Sequence, residues 1–93
     1  MVLEAPAGRW GSPQAIAPHE GASAVAFYIR SPEEGVEGVL CYVSSRGGAV
    51  IEQFQRVAVA EAPVGPISIC VRATEEATTV EVGVNELYEE QPG

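Results

Sequence analysis

The side chains able to do chemistry here are few. One histidine, two cysteines, five arginines and thirteen glutamates stand in a chain with neither lysine nor aspartate. General-base dyads, Schiff-base amines and hard-cation cages draw mainly on the types that are missing. His19 lies in Pro18-His19-Glu20-Gly21, the composition of a surface turn. As a base it needs an orienting carboxylate and a nucleophile, and neither is encoded nearby. Cys41 and Cys70 lack the Cys-x-x-Cys spacing of zinc and thioredoxin-like sites. Cys41 falls in an apolar stretch and reads as a small buried hydrophobe. Cys70 falls on the polar side of its segment, where a nearby Arg72 would lower its pKa. Free thiols are expected, with a disulfide the alternative if the two strands prove to be neighbours. The carboxylates left for enzymatic work are Glu52 and Glu81, flanked by Tyr42 and Arg56. A small lyase or isomerase using a Glu base is therefore one reading. No catalytic residue, metal site or cofactor is assigned.

Binding chemistry has more material. Gly8-Arg9-Trp10-Gly11 and Ser45-Arg46-Gly47-Gly48 place arginines between glycines, which lets an anion approach, although turns explain both segments. No Walker or dinucleotide pattern accompanies them. Trp10, the only tryptophan, and its neighbour Arg9 are candidate interface residues, because Trp and Arg are enriched at binding hot spots. Trp10 either anchors its own segment to the core or docks on a neighbouring subunit. The net charge is −8 and the pI about 4.4, which disfavours nucleic acid and anionic membrane surfaces as partners. Glu75, Glu76, Glu86, Glu89 and Glu90 are the candidate contacts for a basic partner.

The elements that must position these residues read as strands. The apolar content is rich in Val and poor in Leu, which suits a pleated surface. Residues 1–21, dense in Pro and Gly, read as an extended arm with short strand pieces near Arg9-Trp10 and Gln14–Ala17. Strands are expected at Ser23–Arg30 and at Val39–Ser44, the latter apolar on both faces and so suited to a doubly covered central position. A turn is expected at 31–35. Residues 49–62 are ambiguous: Val50, Phe54, Val57 and Ala58 fit one helical face, whereas 56–61 alternates. The strand reading is preferred, and α+β with one helix at 49–62 is the alternative. Pro66–Ala73 and Thr78–Leu87 alternate cleanly and form the clearest pair. Residues 22–88 thus make a β domain and 89–93 an acidic, frayed tail.

Gly35-Val-Glu-Gly38 followed by Val39–Val43, Phe54 and Pro63-Val-Gly65 faintly resembles the sandwich core of actinoporin- and aegerolysin-like proteins. Such spacing is common to many sandwiches, and the chain lacks the cluster of exposed aromatics that those pore formers place against lipid, so no family is assigned. About six short strands with turn chemistry between them point to an all-β fold, a small antiparallel sandwich or barrel. No basic and apolar leader pattern and no membrane-length apolar run is present, so a cytoplasmic protein is expected. The function expected is a non-catalytic protein–protein interaction module, a homo-oligomeric structural or accessory protein of phage or virus type. The alternatives are an acidic inhibitor or adaptor for a basic protein, and the Glu-based enzyme.

Overall fold

Alternating small and branched apolar residues build eight strands in the computed structural model, which describes residues 1–30 and 35–89. They are β1 (Val2–Ala5), β2 (Gln14–Ile16), β3 (Ala24–Ile29), β4 (Val36–Ser44), β5 (Gly48–Phe54), β6 (Val57–Glu61), β7 (Pro63–Ala73) and β8 (Thr78–Leu87). The all-β expectation holds, with eight strands in place of about six. The helical alternative at 49–62 does not: this stretch forms β5 and β6, joined at Gln55-Arg56. Val50, Phe54 and Ala58 are four residues apart, a spacing that one helical face and one strand face share. Most of the turn expected at 31–35 lies outside the described residues.

Two four-stranded sheets form, ordered β1-β8-β3-β6 and β2-β7-β4-β5. The antiparallel pairs β1:β8, β2:β7, β3:β6 and β4:β5 are those of one long nested hairpin. The further pairs β3:β8 and β4:β7 join its turns once it is rolled up. This is the arrangement of an eight-stranded jelly roll. Only β4 and β5 are consecutive within a sheet, through the Ser45–Gly47 turn; every other connection crosses to the opposite sheet. The crossing between β6 and β7 is a single residue, Ala62, at φ 46. Two hydrogen bonds hold it, Ala62 N–H to Ser23 O at 2.8 Å and Ser45 N–H to Ala62 O at 2.9 Å.

The space between the sheets is filled by side chains. Val25, Phe27, Leu40, Ile67, Ile69, Val71, Val80 and Val82 are fully buried there. Burial of each such side chain is worth about 1.5–3 kcal/mol. Among the described residues no buried side-chain polar atom lacks a partner. There is also no helix among them, and hence none long and apolar enough to cross a membrane.

Residues 1–21, expected as an arm, supply an edge strand to each sheet. Val2–Ala5 pairs with β8 as β1, a strand the sequence pattern did not reveal. Beyond it the chain runs along β7: Ala73 N–H donates to Pro6 O (2.9 Å), Gly8 N–H to Ala73 O (2.8 Å) and Gly11 N–H to Val71 O (2.9 Å).

Candidate interaction surface

Alternation along β4 sends Leu40, Tyr42 and Ser44 into the core and Val39, Cys41 and Val43 outward. The neighbouring strands continue the outer face in rows. Val39 pairs with Cys70 of β7 and Gln53 of β5. In the next row Cys41 lies between Ser68 and Ile51, with Ala15 of β2 beyond Ser68. After a bulge, Val43 lies between Val64 and Ala49. None of these side chains is charged. Val43 is 50% exposed, Val64 56% and Ile51 77%. Isolated exposed hydrophobics are ordinary, but a contiguous apolar patch marks an interaction surface. The doubly covered strand expected at Val39–Ser44 is thus covered on one side only, because β4 belongs to the outer layer of a two-layer fold.

The opposite face of the sandwich differs. On the outside of the β1-β8-β3-β6 sheet, the Tyr28 ring lies against Gly83, so closely that a Cβ there would collide with it. Arg30 Nη2 donates to the Tyr28 hydroxyl at 3.0 Å, and Arg30 Nη1 meets Glu81 Oε1 at 3.4 Å. That face exposes Val2 and Val57 but sets Glu4, Glu61 and Glu81 among them, whereas the β2-β7-β4-β5 face carries charge only in its Glu37–Arg72 row.

The cysteines sit inside the apolar face. Cys41 is exposed, against the buried position expected, because it takes the outward phase of β4. Cys70 is half-buried, and its thiol pKa is raised by burial and then by the nearby Cys41, opposite to the lowering expected from Arg72. Arg72 is engaged elsewhere. Its Nη2 lies 2.7 Å and its Nε 2.9 Å from Glu37 Oε2. Its guanidinium carbon stands 4.4 Å from the centroid of the Trp10 ring, a cation–π contact. Both thiols are free; Cys41 faces Ser68 and Cys70 faces Val39, so they are diagonal neighbours. The Glu37–Arg72–Trp10 stack closes one end of the apolar face with a neutralised pair. Trp10 is half-buried against its own chain, and Arg9 is exposed beside it.

The other candidates are dispersed. Glu75 and Glu76 are exposed in the β7–β8 turn, while Glu86 and Glu89 lie at the far end of β8. Ten residues of strand span about 33 Å, so these carboxylates form no single acidic face. Glu90 lies outside the described residues. Glu52 and Glu81 are both exposed.

His19 has found a partner the local sequence did not show. Its Nδ1 lies 2.7 Å from Glu86 Oε1, and the Tyr88 hydroxyl donates to Glu86 Oε2 at 2.6 Å. The Tyr88 hydrogen bond first, and His19 second, hold the Glu86 carboxyl below its ordinary pKa. The same bond raises the Tyr88 phenol. A lowered carboxyl pKa contributes stability that is present above the unfolded-state value and lost as pH falls through the folded one. The wild type should therefore melt above Glu86→Gln at neutral pH, with the gap closing as pH is lowered through the carboxylate range. Calorimetric melts across that range check this, and a gap independent of pH would refute it.

Among the described residues no group of three or more His, Cys, Asp or Glu is placed to hold a metal ion. The chain matches no protein-family profile, no curated protein and no solved structure.

Proposed function

We propose that this protein is a non-catalytic interaction module that associates with copies of itself, in a structural or accessory role. The observation that carries this reading is the outer face of the β2-β7-β4-β5 sheet, whose three rows through Val39, Cys41 and Val43 carry no charge and expose Ile51, Val43 and Val64, in a chain of net charge −8. Burying such a face is favourable. Two acidic copies approach most closely where no carboxylate is left unneutralised, and the carboxylate of this face, Glu37, is paired with Arg72. A basic partner would instead be drawn to the candidate glutamates, and Glu75 and Glu76 lie at one end of β8 with Glu86 and Glu89 at the other. The three strands β7, β4 and β5 at about 4.8 Å spacing and seven residues at about 3.4 Å outline roughly 700 Å² over two copies, below the range of stable interfaces, so the expected association is weak. Jelly rolls recur in viral capsid domains, which suits a coat or accessory component, although they also occur in lectins and cupins.

Native mass spectrometry over a concentration series tests the proposal. A closed dimer that gives way to monomer on dilution is expected, and a monomer throughout would overturn it. Salt adds a sign. Because each copy carries −8 and the contact has no net charge, screening should strengthen the dimer. Charge-led binding to a basic protein would weaken instead.

A further inference from the structure

Resting on that reading, we propose that the contact is an isologous stack of two β2-β7-β4-β5 sheets whose two-fold axis lies in the interface along β4, so that Cys41 meets Cys41 of the second copy. In a face-to-face two-fold contact, whatever lies under the axis meets itself, and flanking strands exchange partners. An axis along β4 sets β5 of one copy on β7 of the other, row upon row. Ile51, the most exposed large apolar side chain of the face, then covers Ser68 of the other copy, its row-mate across Cys41. Likewise Val64 covers Ala49, and Gln53 covers Cys70. Each exchanged contact sets a larger side chain on a smaller one, which is the volume matching that close packing needs. An axis across the strands would set Ile51 on Ile51 and Ser68 on Ser68, leaving a bump beside a hollow. The charged row falls at one end of the contact, where Glu37, also on the axis, faces Glu37 of the second copy with its charge offset by its own Arg72 at 2.7 Å.

The geometry separates the two thiols. With sheets about 10 Å apart, side chains reaching toward each other place the two Cys41 sulfurs roughly 4–5 Å apart. Cys70 lies one strand to the side, so its two copies are displaced by about a further 10 Å across the sheet.

The test uses two single-cysteine variants, Cys70→Ser and Cys41→Ser, treated with a short methylene-bridged thiol cross-linker under conditions where native mass spectrometry shows the dimer. Cys70→Ser, which keeps Cys41, should cross-link in high yield. Cys41→Ser, which keeps Cys70, should not. A dimer by mass in which Cys41 fails to cross-link, or Cys70 cross-links equally well, overturns this arrangement and leaves the self-association reading standing. A reduced wild type that is monomeric at every concentration overturns both.

Discussion

Ile51→Glu should run as a monomer at concentrations where the wild type is dimeric, and should melt at the temperature of the wild type diluted to monomer, because dimerisation itself raises the wild-type value. Ile51 is 77% exposed on an edge strand, so the fold has little invested in it. Substitutions at such positions usually stay within about 0.5 kcal/mol. In the proposed stack its side chain is covered twice, once in each copy. Losing the burial of two isoleucines removes about 3–6 kcal/mol of association free energy. That corresponds to roughly a hundredfold to ten-thousandfold weaker binding. The glutamate adds further cost, because a carboxylate taken from water without a partner is expensive to bury. Sedimentation velocity and thermal denaturation of the same samples check both halves. A dimer of unchanged strength would remove this face from consideration. A collapsed melting temperature would show that Ile51 supports the monomer itself.

The strands that could be read from sequence were those whose two faces see different surroundings. In β7, Ile67, Ile69 and Val71 point inward between more exposed neighbours; in β8, Val80 and Val82 do so. Alternation reports that difference directly. Val39–Val43 was equally legible as apolar on both faces, but a second covering layer and a bare face leave the same pattern. Only the topology distinguishes them. At 49–62 the spacing of Val50, Phe54 and Ala58 belongs to both periodicities, and what decides is pairing with β4 on one side and β3 on the other. Val2–Ala5 is too short to show a period, and its strand exists because β8 offers it an edge, Val2 against Glu81 and Ala5 against Thr78. The His19–Glu86 contact spans 67 residues of sequence. The shared row of Cys41, Ser68 and Ile51 comes from three strands. Local composition carries no signal for either, and so the outer face was not foreseen as a site. Trp10 and Arg9 were singled out by residue type, which reports that an aromatic needs a surface to lie on but not which surface. Here Arg72 of the same chain provides it.

Gly11→Ala should release that segment from the body of the protein. Gly11 lies where the chain leaves the end of β1 and runs beside β7. A Cβ there would stand 2.5 Å from the carbonyl oxygen of Glu4, 3.0 Å from Pro6 Cδ and 3.3 Å from the carbonyl oxygen of Val71. Two of these neighbours are backbone, held in place by the sheets, so the inserted methyl cannot be relieved by turning a side chain. Overpacking of this kind costs about 1–3 kcal/mol. It also pushes apart the Gly11 N–H and Val71 O, now 2.9 Å from each other. The next residue back is Trp10, so its ring should leave Arg72 and enter water. Its emission should shift to the red, and the denaturant midpoint should fall. Gly47→Ala is the control: it lies in the β4–β5 turn with nothing within 4 Å of the new methyl, and neither quantity should move. Unchanged emission and an unchanged midpoint in Gly11→Ala would mean that residues 6–11 are not packed as described. The displaced segment would also leave the β7 backbone unpaired along a strand with no lysine to guard it. Such an edge invites pairing with other chains, and aggregation on heating should accompany the loss of stability.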